Sequence, residues 1–246
     1  MKVSIVFAVL NSHEVVRRQL LYFDKMNLPD DIEIIIVDDG SEPPLEGNIK
    51  NLTILQTHDK RPWTQPVARN LGAKAARGEY LICTDIDHII PRETIDFVYN
   101  TDYDIVRFKR YAAILDEDGN ISQDMDKLRE YGYNRDGLRM GPHGNSYAIK
   151  RDLFMKFGGS QCRCSYPNRD EQKIKRWTHK LKDELKLLND DNRPSIYMIP
   201  NGRFCGDKDY NPFGLFHNLS RENNVMSRRK RNKDKHRKIR ENREKI

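Results

Sequence analysis

The chain of 246 residues is 37% hydrophobic and 33% charged, with a formal net charge of +7. That length holds one α/β domain with a tail, or two small domains, and buries a core without disulfide or metal staples. The longest aliphatic run, Ile34 to Val37, falls far short of the roughly 20 apolar residues of a membrane-spanning helix, so no transmembrane segment is expected.

The N-terminus opens directly into a strand-like run, Val3 to Leu10, with no basic leader or small-residue cleavage site, so no signal peptide is expected. Four cysteines (Cys83, Cys162, Cys164, Cys205) are too few for a disulfide scaffold of this size and read as reduced thiols in a cytoplasm. The charge is concentrated at one end. Between Ser227 and Ile246 stand eleven Lys/Arg and three Asp/Glu, a local +8 that leaves the other 226 residues at −1. This tail has almost nothing apolar to bury, so it is expected to be disordered or a solvated helix. A solvated extension with no partner is one reading of it. An anionic membrane surface, a polyanionic acceptor and nucleic acid are the others, nucleic acid being the least favoured because the body of the chain is near neutral.

Along the chain, strands alternate with helices. Val3–Leu10 is short, β-branched and mainly apolar, as a strand buried on both faces should be. His13 to Met26 reads as a helix, with Val16, Leu20 and Phe23 on one face and Ser12 as N-cap. Ile32–Val37 and Leu52–Thr57 are the next two strands, the former ending in Asp38-Asp39-Gly40-Ser41. Pro66 to Arg77 is a helix that starts at proline and stops at Gly78. Glu79–Thr84 is a strand ending in Asp85-Ile86-Asp87-His88, and Pro91 to Tyr99 is a short helix. Asp104–Ala112 is a further strand. Such alternation predicts a mainly parallel, helix-covered sheet, in which ligands bind outside the carboxyl ends of the strands. Both acidic clusters fall there.

The second half is less regular. Asp116 to Met140 is polar, with Asp118-Gly119-Asn120 as a hairpin turn, and Gly141 to Ser146 is a loop. Asp152–Phe157 is a short helix that stops at Gly158-Gly159. Asp170 to Asn189 reads as a long helix, because Ile174, Trp177, Leu181, Leu185 and Leu188 fall on one stripe. Ile196–Ile199 is a late strand. No repeat is present, and no domain boundary is expected before the tail.

Asp85 and Asp87, two residues apart after a strand, offer hard oxygens suited to Mg2+ or Mn2+, which bind through one or two carboxylates plus substrate phosphates. Paired aspartates in that position are also ordinary turn residues. Their context is more specific. The opening strand followed by Asn11, the Val37-Asp38-Asp39-Gly40-Ser41 element, the Ala68-Arg69-Asn70-Leu71-Gly72 helix and the Asp85-x-Asp87 pair stand in the order and spacing that resembles glycosyltransferase family 2 and its GT-A fold. The resemblance covers residues 3–110 well and 141–220 more loosely. It implies that Asp39 accepts from the base of a nucleotide-sugar, most often uridine, and that Asp38 supports that loop or the ribose. It implies that Arg69 borders the nucleotide, that Asp85 meets the ribose or a metal-bound water, and that Asp87 ligates the metal. Arg69 is equally suited to a structural salt bridge with a nearby carboxylate. Lys60, Arg61 and Trp63, before the helix, are candidates to close over the base or diphosphate, with Trp63 equally suited to the core.

The family places its catalytic base after a Gly-Gly turn, commonly as Glu-Asp with an arginine several residues on. Here Gly158-Gly159 is followed by Asp170-Glu171, in reversed order, with Arg176 downstream. The spacing to Arg176 favours Asp170 as base, with Glu171 as the alternative; both also suit the start of a helix. His217, in Phe216-His217-Asn218-Leu219, resembles the late histidine that serves many GT-A enzymes as a third metal ligand. His143 and Asn145 are candidates to meet the sugar or diphosphate, and His88 to support a metal ligand from behind.

Other chemistries lack their residues. No G-x-G-x-x-G or G-x-x-x-x-G-K-[ST] is present, so no dinucleotide or P-loop site is expected. Cys162, Cys164 and Cys205 lack a fourth zinc ligand at usual spacing. The expectation is a metal-dependent inverting glycosyltransferase, hexosyl- or N-acetylhexosaminyl-transferring, that uses Mn2+ or Mg2+ and a nucleotide-sugar, most often a UDP-sugar. Its acceptor would be a carbohydrate or glycoconjugate hydroxyl. Residues 1–226 would form one GT-A-like domain, with a nucleotide half over 1–110 and an acceptor half over 111–226, followed by the tail at 227–246. Its expected location is the cytoplasm, at the membrane periphery if the tail touches anionic lipid. The alternatives are a nucleotidyltransferase on a related scaffold and a binding protein led by the basic tail.

Overall fold

The computed structural model describes residues 1–58, 65–141, 143–160, 184–201 and 211–215. A seven-stranded sheet forms its centre. Its middle is the parallel set that the apolar runs predict: β1 (Val3–Val9) lies between β2 (Ile32–Asp38) and β4 (Tyr80–Thr84), and β3 (Leu52–Gln56) pairs with β2 at one edge. Every residue of β1, β2 and β4 is buried. The reason is that both faces are covered. Val3, Ile5, Phe7 and Val9 pack with Val16, Leu20 and Phe23 of α1 (His13–Met26) and with Ile95 and Val98 of α3 (Arg92–Asn100). Val6 and Ala8 face the other way, toward Ala68 and Ala73 of α2 (Gln65–Ala75) and Phe154 of α5 (Arg151–Lys156). Full burial of each such aliphatic or aromatic side chain contributes about 1.5–3 kcal/mol.

Gly72 sets how closely α2 approaches the sheet. A Cβ there would stand 2.5 Å from Val6 Cγ1 and 3.1 Å from Val37 Cγ2, so a side chain would push the helix outward. Arg69, three residues before Gly72, is thereby held within reach of Asp85 at the carboxyl end of β4.

Beyond β4 the sheet changes direction. β11 (Tyr147–Lys150) pairs antiparallel with β4 on one side and with β6 (Ile105–Arg107) on the other. β12 (Leu187–Leu188) runs parallel to β6 at the far edge. The long helix expected to reach Asn189 therefore does not extend over Leu187 and Leu188. Pairing with Ile105 and Val106 overrides the helical spacing of the leucines, and the earlier part of that stretch lies outside the described residues. The strand expected over 104–112 is also divided. Phe108 separates β6, in the main sheet, from β7 (Lys109–Ala112), which joins a second sheet of order β10-β7-β13-β5. That sheet gathers β5 (His88–Ile89), β10 (Arg139–Met140) and β13 (Ser195–Met198).

The Asp118-Gly119-Asn120 turn closes the hairpin of β8 (Ile114–Leu115) and β9 (Ile121–Ser122), where Asp116 Oδ1 accepts from Asn120 N at 2.7 Å. A helix the sequence reading does not anticipate, α4 (Met125–Glu130), follows. Asp124 caps it by accepting from Asp126 N and Lys127 N, both at 2.9 Å. Ser12 stands at the N-cap of α1 as expected, but its hydroxyl donates to Leu10 O at 3.0 Å and makes no capping bond.

Candidate functional site

The site lies where β1, β2 and β4 end. Asp38, the last residue of β2, is 1% exposed and serves its own loop: Oδ1 accepts from Ser41 N at 2.8 Å and Oδ2 from Leu45 N at 2.9 Å. Asp39 N donates to Val9 O at 2.7 Å, and Asp39 Oδ1 accepts from Thr57 Oγ1 at 3.1 Å. The loop after β2 is thus tied to the ends of β1 and β3, with the buried Asp39 carboxylate beside Thr57.

Asp85 follows β4. Its Oδ1 accepts from Arg69 Nη2 in an ion pair and from Gln65 Nε2 at 2.8 Å. Arg69 is 1% exposed, so a fully buried guanidinium is matched to a carboxylate that is still partly open. The pairing that the sequence analysis gives as one alternative for Arg69 is therefore formed. The second oxygen, Oδ2, faces His143 Nε2 at 3.6 Å.

The turn that carries Asp85 and Asp87 is held from two sides. From behind, Gln19 of α1, itself buried, donates to Ile86 O at 3.0 Å and His88 O at 2.9 Å. From the second sheet, Ile199 N donates to Asp87 O at 2.9 Å and Asn201 Nδ2 to Asp87 Oδ2 at 3.4 Å. His88, 1% exposed, puts Nδ1 2.8 Å from Asp87 Oδ1 without hydrogen-bond alignment, and its Nε2 accepts from Arg110 Nη1 at 3.4 Å.

The Gly141–Ser146 loop completes the group. The His143 ring stacks on His88 with centroids 5.0 Å apart and an interplanar angle of 27°. His143 Nδ1 lies 3.1 Å from Ser146 Oγ, which lies 2.8 Å from Thr84 Oγ1. Burial pushes the His143 imidazole below its ordinary pKa, against the opposing pull of the Asp85 carboxylate. Donor atoms of Asp85, His88 and His143 lie within 4.8 Å of one another. A carboxylate and two imidazoles at that spacing fit a borderline divalent ion such as Mn2+.

The structure therefore brings Arg69, Asp85, Asp87, His88 and His143 together. Asp38 and Asp39 stand two parallel strands away from Asp85, at the same end of the sheet. Lys60, Trp63, Asp170, Glu171 and His217 lie outside the described residues, as do Cys162, Cys164, Cys205 and the basic tail. Residues that the sequence reading passed over are Gln19, Gln65, Arg110, Ser146 and Asn201. Gln19 had a signal: it is a polar residue three after Val16 and four before Phe23, on the apolar stripe of α1. Among the described residues no helix is long and apolar enough to cross a membrane.

The family model described as Glycosyl transferase family 2 matches residues 4–158. No curated protein matches the chain in sequence. Among solved structures, it is similar to S. aureus TarS 1-349 in complex with UDP-GlcNAc (19% identity, TM-score 0.55, covering 82% of this chain and 59% of that one). It is also similar to TarS 1-349 in complex with UDP (16% identity, TM-score 0.54, covering 82% and 61%). A third likeness is to the mannosyltransferase PcManGT from Pyrobaculum calidifontis in complex with GDP-Man and Mn2+ (18% identity, TM-score 0.52, covering 81% and 56%). At such identities the likeness is one of fold, and this chain spans less than two thirds of each of those chains.

Proposed function

Because the chain belongs to glycosyl transferase family 2, we propose that it moves a sugar from a nucleotide-diphosphate sugar, a UDP-sugar, to a carbohydrate or glycoconjugate hydroxyl with inversion at the anomeric carbon. The observation that carries this reading is the Asp85 carboxylate. One of its oxygens is engaged by Arg69 and Gln65, and the other is turned toward His143, at the carboxyl end of a parallel sheet that also ends in Asp38 and Asp39. In this reading residues 1–110 hold the nucleotide and residues 111–226 the acceptor.

Each residue then has a task. Asp39 accepts from the base, and Asp38 keeps its loop in shape. Lys60 and Trp63 close over the nucleotide. Asp87 and Asp85, with His217, hold Mn2+ or Mg2+, which when bound neutralises charge on the departing diphosphate. Arg69 holds the Asp85 carboxylate in orientation. Asp170, or Glu171 in its place, removes the proton of the acceptor hydroxyl as that oxygen attacks the anomeric carbon. The 227–246 tail, with its eleven basic residues, meets an anionic membrane surface or polyanion at the cytoplasmic face. The solved likenesses support the donor class, because TarS is seen with UDP-GlcNAc and PcManGT with GDP-Man and Mn2+.

A thermal-shift panel of UDP, GDP and their sugars, with and without Mn2+, tests the donor. A UDP-sugar with Mn2+ raises the melting temperature most, by mass action on the folded state. Product analysis tests the reaction: release of UDP supports it, whereas release of pyrophosphate assigns nucleotidyl transfer instead. Asp87→Ala abolishes both transfer and the Mn2+-dependent shift, and full activity of that variant in excess EDTA overturns the reading.

A further inference from the structure

We propose that His143 is a nitrogen ligand of the divalent cation, beside Asp85, with a weaker response of Mg2+ than of Mn2+ to its loss as the signature. The inference rests on the nucleotide-sugar reading and extends it to a residue and a metal selectivity.

Three observations converge. First, the 3.6 Å between His143 Nε2 and Asp85 Oδ2 is too long for a hydrogen bond. It suits two donors sharing one ion through bonds of about 2.1 Å each. Asp85 Oδ1 is already engaged by Arg69 and Gln65, so Oδ2 is the oxygen turned to the imidazole. Second, a ligating imidazole needs an acceptor for its other ring N–H. Ser146 Oγ stands 3.1 Å from His143 Nδ1 and is itself braced at 2.8 Å by Thr84 Oγ1; both hydroxyl residues are buried. The stacked His88 ring fixes the plane in which Nε2 points. Third, His88 is 1% exposed and its Nε2 accepts from Arg110, whereas the His143 side chain is 23% exposed, so of the two clustered imidazoles His143 is the one an incoming ion reaches.

The selectivity follows from the charges. Magnesium depends on oxygen ligands and gives up water reluctantly. Here Arg69 draws on the very carboxylate that would attract it. An imidazole adds affinity for borderline ions without adding negative charge.

The test uses the full chain, saturating UDP and either Mn2+ or Mg2+. His143→Ala weakens Mn2+ binding at least tenfold and Mg2+ binding less than twofold. Pulsed EPR of bound Mn2+ shows 14N coupling in His217→Ala, and the coupling is lost in the His143→Ala/His217→Ala double variant. His143→Asn, which keeps a polar partner for Ser146, reproduces the metal loss should the alanine variant fold poorly. Coupling that persists in the double variant, or that His217→Ala alone removes, overturns the proposal. If Mn2+ tightens UDP binding but no nitrogen couples, this inference alone fails. If no divalent ion affects UDP binding, the nucleotide-sugar reading fails with it.

Discussion

Asn70 grips both backbone groups of Ser160: its amide nitrogen donates to Ser160 O at 2.6 Å, and its amide oxygen accepts from Ser160 N at 2.7 Å. The neighbouring Arg69 holds Asp85. One turn of α2 therefore ties the turn after β4 to the Gly158-Gly159 turn, 90 residues along the chain from Asn70. Gly159 has φ +64, and a Cβ there would lie 2.4 Å from Asn70 Oδ1. Gly159→Ala is expected to cost about 1–3 kcal/mol, from left-handed backbone and from this clash. In an Asn70→Ala background the clash is absent, so the glycine substitution costs less. Urea denaturation of the two single variants and the double measures the difference; additive costs would show that the contact is not felt.

Arg69 and Asp85 form a pair in which one partner is wholly buried. Asp85→Ala leaves that guanidinium without its carboxylate, at a cost of about 3 kcal/mol. Replacing both at once, as Arg69→Met with Asp85→Ala, recovers part of the loss because no buried charge remains. For a chain of this length a kilocalorie corresponds to about 2–4 °C in melting temperature, so calorimetry resolves both steps. A double variant less stable than Asp85→Ala would refute the account.

Gln19 satisfies the carbonyls of Ile86 and His88 with one amide nitrogen. Gln19→Leu keeps the apolar contacts of α1 and leaves both carbonyls buried without that donor, costing about 1–3 kcal/mol. Because these carbonyls flank Asp87, metal-dependent UDP binding is expected to weaken while metal-free binding is retained. Calorimetric titration with and without Mn2+ reads the two separately.

Glu33 sets an acid limit on stability. Burial raises its pKa, but the Arg77 N–H, the Ser4 hydroxyl and the Arg77 guanidinium together outweigh burial and hold it below the usual carboxylate range. Ser4 Oγ donates at 2.7 Å and Arg77 N at 2.6 Å. The stabilisation is thus complete above the ordinary glutamate value and is lost as pH falls through the lower folded one. Glu33→Gln is expected to be less stable than the parent at pH 7, with the gap closing as the solution is acidified below about pH 4. Denaturation midpoints from pH 7 down to pH 3 measure this; a gap that widens on acidification has the wrong sign.

The first hundred residues were legible because their signals are local. Val3–Val9 and Ile32–Asp38 are buried on both faces, which favours mainly apolar runs, and α1 carries its own apolar stripe. After that point local pattern and tertiary pairing disagree. Leu187 and Leu188 carry helical spacing yet complete a sheet edge. Asp104–Ala112 reads as one strand yet serves two sheets, because β11 inserts beside β6 and β13 beside β7.

From the sequence alone came the order of elements, the carboxylates at the strand ends and the family they resemble, since each depends on residues a few positions apart. Only the folded chain decided that His143, Arg110, Asn201 and Gln19 surround the Asp85–Asp87 turn. Asn201 reaches Asp87 across 114 positions and Gln19 reaches Ile86 across 67. No periodicity encodes which loops meet at such separations. Burial of the apolar side chains that α1 and the two sheets share in one core chooses those neighbours.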